Sequence, residues 1–358
     1  MVSCKEIGVI IMIKAAIIGG TGYAGQELLR ILYRHPDVDV VSVGSRSFAG
    51  QPLKDVYHLY NNISDAVCEH RELDELAKEA DVVFLALPHG IASEKVTAAV
   101  LDQTRIIDLG ADFRLNDLNI YEEWYEVKHH GEALMKEAVY GLCELHREAI
   151  KKARLIANPG CYTTCSILSL APLIKNKLID PASIIIDAKS GVTGAGRGTN
   201  LPFMYCECNE SVKAYKVACH RHTPEIEQEL GLLAGKPLQL LFTPNLVPMN
   251  RGILAICYAN LLDTDMDEED LRQVYRDFYK DEYFVRLTEE AVPETRWVKG
   301  SNYCDIGLKV DKRTGRVIVM GVIDNLVKGA AGQAVQNMNL MFGLDEKTGI
   351  DFVTDFPV

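Results

Sequence analysis

A glycine-rich loop near the start of the chain constrains the fold more than any other feature. Residues Gly20–Gly25 read G-T-G-Y-A-G, and Gly19 adds a second overlapping register. The loop follows a short apolar run at Ile13–Ile18 and precedes residues 23–34, whose apolar side chains recur at helical spacing. This order predicts a dinucleotide-binding turn, in which glycines let the backbone approach a pyrophosphate at a helix N-terminus. The alternative is an ordinary tight turn in an α/β sheet.

The residues that follow keep the same alternation of short apolar runs and helical patterns. Such runs are typical of strands buried on both faces, and their alternation with helices predicts a parallel sheet with right-handed crossovers. The predicted strands are Val38–Val43, Asp81–Leu87, Arg105–Asp108 and Arg154–Ala157, and the predicted helices cover residues 92–101 and 144–153.

The pattern changes after Asn158, where longer strands with fewer crossovers predict an α+β domain with a mixed or antiparallel sheet. The predicted elements are a helix from Cys161 to about Lys177, strands at Ser183–Lys189, Leu238–Val247, Gly252–Leu262 and Arg316–Ile323, and helices at about 224–234 and 267–280.

We therefore predict an α/β protein with a Rossmann-type parallel-sheet domain over residues 12–157. An α+β domain for catalysis, substrate binding and oligomerisation is expected over residues 158–328. An amphipathic helix at Gly329–Phe342 follows, and the C-terminal segment 329–358 is expected to pack back onto the first domain. Long strands in the second domain suit an intersubunit sheet, which favours a homo-oligomer, either a dimer or a tetramer.

Charge and cysteine content exclude several classes of protein. The net charge of −12 argues against a surface for nucleic acid or for an anionic membrane, but not against a local basic pocket for a phosphate-bearing ligand. No run reaches the roughly 18 apolar residues of a membrane span, and Lys14 splits the first run, so Met1–Ile11 is interpreted as a short extension and not as a signal peptide. Ten cysteines are scattered through the chain, which predicts reduced thiols and a cytoplasmic protein.

The end of the second predicted strand distinguishes the two nicotinamide cofactors. An NAD site usually offers Asp or Glu there to hold the ribose hydroxyls. This chain has Ser45, Arg46 and Ser47 instead, and an arginine between two hydroxyls suits a 2′-phosphate. The sequence therefore favours NADP(H), although Arg46 is also compatible with a solvated loop charge.

The string Asn158–Thr164, N-P-G-C-Y-T-T, is the most informative in the chain. Pro-Gly ends a strand and Cys161 then begins a helix, where the positive end of the helix dipole is expected to lower the pKa of a thiol. Cys161 is thus predicted to be a nucleophile, whereas Cys165, one turn later in an apolar helix, is predicted to be a core residue.

A thiol nucleophile needs an acid/base partner. His220 and His222 precede a helix begun by Thr223-Pro224, and alternate positions on an extended segment are expected to turn both imidazoles to one side. His89 follows a predicted strand at the carboxyl end of the parallel sheet, where it could face a cofactor. A zinc site is the alternative for this region, but its C-x-C spacing is a poor zinc signature, and no metal is predicted. The cysteines and histidines of that alternative are Cys206, Cys208, Cys219, His220 and His222.

Together these strings resemble the N-acetyl-gamma-glutamyl-phosphate reductases, within the wider aspartate-semialdehyde dehydrogenase group. The resemblance runs from about Ile13 to the C-terminus. Two departures are Gly110 and Thr163, where the family often has serine and proline, and Thr163 is expected to weaken the start of its helix. The strings that carry the resemblance are Gly19–Gly25, Leu87–Gly90, Asp108–Arg114, Asn158–Thr164, Ser190–Arg197, His220–Ile226 and Lys328–Asn337.

The resemblance implies NADPH-dependent reduction of an acyl phosphate, N-acetyl-L-glutamyl 5-phosphate, to a semialdehyde through a cysteine thioester, in arginine biosynthesis. It implies Cys161 as the nucleophile and His220 as the acid/base, with His222 as the other choice within the pair. The implied substrate-binding residues are Arg114, His222, Glu225 and Ser190. The implied cofactor-binding residues are Gly19, Gly20, Thr21, Gly22, Tyr23, Gly25, Ser45, Arg46, Ser47, Pro88, Ser190, Gly191 and Asn325.

Three alternatives stay open. A related acyl-phosphate reductase, for aspartyl or aminoadipyl phosphate, differs by substrate length, which is hard to read from sequence. A sugar-phosphate aldehyde dehydrogenase predicts an acidic ribose contact, which Ser45–Ser47 disfavours. A dinucleotide-binding regulator without activity predicts loss of the nucleophile or the base, but both are present.

Overall fold

A computed structural model describes residues 12–354 and contains two seven-stranded sheets in that range. The predicted extension Met1–Ile11 and the last four residues of the predicted C-terminal segment lie outside the described residues. The predicted fold class is confirmed, since one sheet is wholly parallel and the other is mixed. No helix of the described range is long and apolar enough to cross a membrane.

The first sheet has the strand order β3-β2-β1-β4-β5-β7-β6. Apolar side chains cover both of its faces, which explains why its central strands are continuous apolar runs in the sequence. The predicted parallel sheet is confirmed. Its strands are β1 Ile13–Ile18, β2 Val38–Gly44, β3 Cys68–Glu69, β4 Val82–Leu85, β5 Arg105–Asp108, β6 Val139–Tyr140 and β7 Leu155–Ala157.

Most of the helices of this part are short. The predicted helix over residues 92–101 is wrong, because the chain is extended at Val96 and Thr97 and two short helices replace it. Both residues are β-branched, and the Thr97 hydroxyl accepts the N–H of Val100 as an N-cap, which restarts the helix. The helices are α1 Tyr23–Leu32, α2 Leu53–Val56, α3 Leu73–Leu76, α4 Ile91–Lys95, α5 Ala98–Leu101, α6 Leu118–Tyr125, α7 Glu132–Met135 and α8 Cys143–Ile150.

The second sheet has the strand order β12-β13-β14-β11-β8-β10-β9. The strand Cys304–Asp311 was not predicted, because Asp305 and Gly307 interrupt its apolar pattern. Asp305 is nevertheless buried there, where Arg286 pairs with it at 2.6 Å. The strands are β8 Ile185–Ser190, β9 Lys213–Ala214, β10 Leu241–Leu246, β11 Ile253–Asn260, β12 Val285–Leu287, β13 Cys304–Asp311 and β14 Arg316–Ile323.

One face of the second sheet is covered by helices, and the long helix after Cys161 lies closest to its centre. That helix is buried from Tyr162 to Ile174 and packs against β11 and β14. Cys165 is fully buried in it, so its predicted place in the core is confirmed. The helices of this part are α9 Cys161–Lys175, α10 Tyr205–Cys208, α11 Thr223–Ala234 and α12 Glu268–Tyr279.

The last long segment returns to the first sheet. It begins as a π-helical turn, Val327–Ala331, and continues as α13, Gly332–Met341. Its apolar side chains share one core cluster with β1 and α1. The predicted helix over Gly329–Phe342 is confirmed at Gly332–Met341, but it is preceded by the π-helical turn and is not amphipathic, because every residue of α13 is buried. Its polar side chains are hydrogen-bonded instead; Asn337, for example, donates to the carbonyl of Gly141 at 2.8 Å.

Candidate active site

A cavity of about 560 Å³ lies where the carboxyl ends of the parallel strands meet the second sheet. Ligands bind at this edge of open α/β sheets because loops from several strands converge there. The cavity brings together the following predicted residues: Tyr23, His89, Arg114, Cys161, Ser190, Gly191, His220, His222 and Asn325. It does not include the other predicted residues in its lining, namely Gly19–Gly22, Gly25, Ser45–Ser47, Pro88 and Glu225.

Cys161 is the first residue of α9, and Gly160 is the N-cap, as the sequence predicted. Strand β7 ends at Ala157, so the N-P-G turn carries the chain directly from the sheet into the helix. A Cβ placed on Gly160 would lie 2.7 Å from Cε1 of His222 and 2.9 Å from Nη1 of Arg114. Only glycine therefore lets these two side chains approach the backbone beside Cys161.

The thiol of Cys161 does not have the low pKa that the sequence suggested. Burial raises its pKa to about 11. The backbone N–H of Tyr162 and the Arg114 guanidinium lower it, and the carboxylate of Glu225 raises it further. The helix N-terminus thus offsets only part of the desolvation, and a base is needed to remove the thiol proton.

His220 and His222 lie edge to face, with ring centroids 4.8 Å apart. The prediction of an extended segment is wrong: the N–H of Thr223 donates to the carbonyl of His220, so the chain turns into α11 at this point. Nδ1 of His220 accepts the N–H of His222 at 3.1 Å, which assigns the exchangeable ring proton to Nε2. The Tyr162 ring also contacts the His220 ring, at 5.6 Å, and this contact brings the histidine pair to the start of α9.

The imidazoles around the cavity are held neutral. Burial, and then the neighbouring His222, lower the pKa of His220 to about 2. The pKa of His222 is also lowered well below its ordinary value, by burial and then by Arg114. Burial lowers the pKa of His89 to about 4, and its ring lies edge to face with Tyr125 at 5.0 Å.

Glu225 is fully buried behind the cavity wall, where it holds the start of α9. Its Oε1 accepts the N–H of Gly160 at 2.9 Å and the hydroxyl of Tyr140 at 2.7 Å. The hydroxyl of Thr163 lies 2.9 Å from the same oxygen and 2.6 Å from the carbonyl of Gly160. Thr163 therefore stabilises the first turn of α9, and the expectation that it weakens the start of the helix is wrong.

Arg114 is only 6% exposed, although it borders the cavity. Its Nε donates to the carbonyl of Asn158 at 2.8 Å and its Nη2 to that of Leu109 at 2.9 Å. Nη1 lies 3.4 Å from Oε2 of Glu225. Protein acceptors thus engage every guanidinium nitrogen, and Arg114 presents its charge to the cavity mainly through space.

Two further cations line the cavity, and the sequence reasoning missed both as site residues. Arg221 stands between the two histidines, a position that could have drawn attention to it, and its guanidinium lies 5.4 Å from the Tyr125 ring centroid. Lys216 has a positive φ of 45° and gave no motif signal. Neither cation forms an ion pair with any residue of the described range, so both are available to an anionic ligand.

The start of α1 fits the pyrophosphate of a dinucleotide. No side chain caps this helix, and its first turn contains no carboxylate, so its free N–H groups are available to an anion. A Cβ on the N-cap residue Gly22 would meet only the carbonyl of Gly19, at 3.5 Å, so its other side is open. Beside it, the hydroxyls of Thr21 and Ser45 are 2.8 Å apart.

Asn325 supports the loop at the opposite end of this region. Its Oδ1 accepts the N–H of Gly252 at 2.8 Å, and its Nδ2 donates to the hydroxyl of Thr193 at 3.0 Å. The loop that begins at Ser190 and Gly191 is thereby fixed along the cavity.

Within residues 12–354, no three His, Cys, Asp or Glu side chains are grouped so that they could hold a metal ion. Cys206, Cys208 and Cys219, which the zinc alternative required, are free thiols.

Comparison with known proteins gives two family matches that together span most of the chain. Residues 14–153 match the model described as semialdehyde dehydrogenase, NAD binding domain. Residues 161–325 match the model described as semialdehyde dehydrogenase, dimerisation domain.

Curated relatives are similar over nearly their whole length. An N-acetyl-gamma-glutamyl-phosphate reductase of Lachnospira eligens is 54% identical over 349 residues, which cover 97% of this chain and 100% of the relative. The enzyme of the same name from Campylobacter jejuni is 54% identical over 341 residues, which cover 95% and 98% of the two chains.

Solved structures share the fold at low sequence identity. Aspartate semialdehyde dehydrogenase II from Vibrio cholerae, complexed with ASA, gives a TM-score of 0.70 at 18% identity, covering 93% of this chain and 98% of the other. Aspartate semialdehyde dehydrogenase with NADP from Candida albicans gives a TM-score of 0.68 at 16% identity, with coverage of 92% and 98%.

Proposed function

The chain belongs to the N-acetyl-gamma-glutamyl-phosphate reductases, and from this membership we propose that it reduces N-acetyl-L-glutamyl 5-phosphate with NADPH. The products are N-acetyl-L-glutamate 5-semialdehyde and phosphate, within arginine biosynthesis. The observation that best supports this reaction is Cys161 at the start of α9, in one cavity with His220 and with the loop at Ser190.

In the first half-reaction, the sulfur of Cys161 attacks the acyl carbon and phosphate leaves, which gives a thioester. His220 removes the thiol proton and passes it to the leaving phosphate. To act as a base, the ring must free Nε2 and carry its proton on Nδ1, so it gives up the bond from the His222 N–H. The high pKa of Cys161 makes this proton transfer a requirement.

In the second half-reaction, a bound NADPH, held along the strand-end loops that carry Tyr23 and Ser190, would supply the hydride that reduces the thioester carbon. The carbon–sulfur bond then breaks, the semialdehyde leaves, and Cys161 recovers a proton through His220. One proton from solvent is consumed in each turnover. Because the imidazoles are neutral and the thiol is protonated, the cationic side chains of the cavity wall are the charges that the substrate meets.

The substrate carries a phosphate and a carboxylate, and the cavity wall offers complementary charge. We propose that Lys216 and Arg221 bind these anions directly, because neither is paired within the described residues. Arg114 and His222 remain proposed substrate-facing residues, whereas the contacts of Glu225 support a positioning role behind the wall. Ser190, buried at the cavity edge, is proposed to contact the substrate or the cofactor.

The matched family model supports a nicotinamide dinucleotide, and we propose that NADP(H) is preferred over NAD(H). Arg46 is exposed, and Ser45 and Ser47 flank it, which suits a 2′-phosphate. Comparing kcat/KM for NADPH and NADH tests this preference, and equal values would contradict it.

The central experiment replaces the nucleophile. Cys161→Ser should abolish NADPH oxidation with N-acetyl-L-glutamyl 5-phosphate, while NADPH still binds with near-normal affinity. Cys165→Ser is the matched control, since that thiol is buried in the core, and it should retain turnover. Turnover by Cys161→Ser would rule out the thioester.

A substrate panel tests the acyl group. L-aspartyl 4-phosphate and an acetylated aminoadipyl phosphate differ from the proposed substrate in chain length and in acetylation. Preference for either one, measured as kcat/KM, would assign the chain to a neighbouring activity with the same chemistry.

The matched dimerisation domain supports a homo-oligomer, and we propose a dimer, or a tetramer of such dimers, joined through the second sheet. The side of this sheet that faces away from α9 carries half-buried apolar side chains, among them Leu254, Ile256 and Tyr258. Ile256→Asp should reduce the mass measured by light scattering to that of a monomer. We also propose a cytoplasmic location, where Cys161 stays reduced.

A further inference from the structure

Arg197 extends from the second domain to the glycine loop of the first. It ends the strap, which we define as residues 190–197; the strap leaves β8 at Ser190 and lines the cavity opposite Tyr23. At the far end, Nη1 of Arg197 donates to the carbonyl oxygen of Thr21 at 3.2 Å. The strap therefore spans the whole proposed cofactor region, from the nicotinamide side to the loop after β2.

The guanidinium of Arg197 lies close to two aromatic rings of the first domain. It is 4.7 Å from the ring centroid of Tyr57 and 5.4 Å from that of Phe48. Phe48 directly follows Ser45–Ser47 in the chain, so Arg197 lies beside the loop that carries Arg46. Such stacking holds a guanidinium in place while its N–H groups remain free to donate.

Both arginines lack a counter-ion among residues 12–354, although most arginines of this acidic chain are paired. On the same two loops, the hydroxyls of Thr21 and Ser45 are 2.8 Å apart, so one donates to the other and one hydroxyl proton remains for a ligand. Two unpaired guanidinium groups and this hydroxyl are the donor set that a phosphate dianion requires.

We propose that Arg197 binds the 2′-phosphate of NADP(H) together with Arg46. This role rests on the cofactor given under the proposed function. The Thr21 carbonyl also accepts the Tyr57 hydroxyl at 2.8 Å, so Arg197 can exchange that contact for a phosphate without leaving a buried acceptor unpaired. The same strap carries Ser190 and Gly191, so phosphate binding at one end holds the strap over the nicotinamide at the other.

Calorimetric binding of NADPH, NADH and 2′,5′-ADP to the full chain tests the contact. Arg197→Gln should reduce the affinity for NADPH and for 2′,5′-ADP by about ten- to a hundredfold, the range of a lost charge-assisted hydrogen bond. It should change the affinity for NADH by less than about twofold. Arg197→Lys should recover part of the loss. Arg313→Gln removes the same charge at an exposed hairpin turn and should change none of the three affinities.

A second readout follows the strap itself. Because 2′,5′-ADP has no nicotinamide, any hydrogen-exchange protection that it gives to residues 191–197 must come from the phosphate end. Protection in the wild-type protein and its absence in Arg197→Gln would support the coupling.

The outcomes separate this inference from the proposed function. Arg197→Gln with unchanged NADPH affinity, or with equal losses for NADPH and NADH, would overturn the role of Arg197 while the wild-type preference for NADPH still stands. Equal wild-type affinity for NADPH and NADH would instead contradict the proposed cofactor itself.

Discussion

At the scale of the residue, the position of Cys161 was predictable and its acidity was not. The N-P-G-C string dictates a sharp turn and a helix that begins at the cysteine, because both depend on local backbone geometry. The pKa depends on burial by distant segments and on the charges of Arg114 and Glu225, which no local pattern reveals.

Replacing either histidine tests which one exchanges the proton. His220→Asn should lower kcat by about 10²–10⁴-fold, the range for loss of a general acid/base, with a smaller effect on the KM for substrate. His222→Asn should mainly raise the KM for substrate, because His222 supports the ring of His220 and is proposed to face the substrate. If His222→Asn is the more damaging change to kcat, the two roles are reversed.

Glu225→Gln should separate thiol acidity from positioning. Removing the carboxylate should lower the pKa of Cys161, because that charge raises it, and the pH midpoint of iodoacetamide alkylation should move to lower pH. We nevertheless expect kcat to fall by about 10- to 100-fold, since the amide oxygen can still accept from Gly160 and Thr163 but the amide NH2 then faces the Arg114 guanidinium, which the carboxylate paired.

The control for this substitution is Glu227→Gln on the same helix, whose carboxylate accepts the N–H of Leu240. It should leave the alkylation midpoint unchanged. An unchanged midpoint in Glu225→Gln would show that its charge does not reach the thiol.

At the scale of the element, prediction succeeded where the pattern is local and failed where tertiary contacts decide. Strand β1 and strand β14 have the predicted limits because each is a regular apolar run. The predicted helix begins at Gly329 and misses the π-helical turn at Val327–Ala331, where a Cβ on Gly329 would lie 2.7 Å from the Cβ of Cys161, a tertiary contact that no local pattern reveals.

Lys328 of that turn forms a buried ion pair with Glu144, and loss of this pair should measurably lower the stability of the protein. Nζ of Lys328 lies 2.6 Å from Oε1 of Glu144 and 2.8 Å from Oε1 of Gln336, with no exposure to solvent. Lys328→Met should lower the free energy of unfolding by about 3–5 kcal/mol, because it leaves Glu144 charged and unpaired. Urea denaturation measures this loss.

Adding Glu144→Gln to Lys328→Met removes the unpaired carboxylate charge and should recover part of the lost free energy of unfolding. A double variant no more stable than Lys328→Met alone would show that lost packing, and not the unpaired carboxylate, accounts for the cost.

At the scale of the whole molecule, the two sheets form one cavity, and folding therefore determines the charge state of its histidines. The ordinary pKa of histidine is about 6.5, whereas that of His220 falls to about 2 in the fold. Below pH 6.5 the unfolded chain gains a proton that the folded chain excludes, so stability decreases as pH falls.

We expect His220→Asn to flatten this dependence by up to about 1.4 kcal/mol per pH unit between about pH 6 and pH 4. Urea unfolding of the two proteins across that range gives the comparison. If the free energy of unfolding depends on pH in the same way in both proteins, His220 is protonated in the folded protein at these pH values.

The return of the last helix to the first sheet has a consequence for how the protein is made. On the ribosome, the first domain emerges well before Val327–Met341, the segment that completes its core beside Ile17 and Leu28. Until that segment is synthesised, an apolar stripe of the nascent domain is exposed, and folding to the final state must wait for nearly the whole chain. A fragment that stops before residue 327 should therefore aggregate or bind chaperones, however complete its sheet.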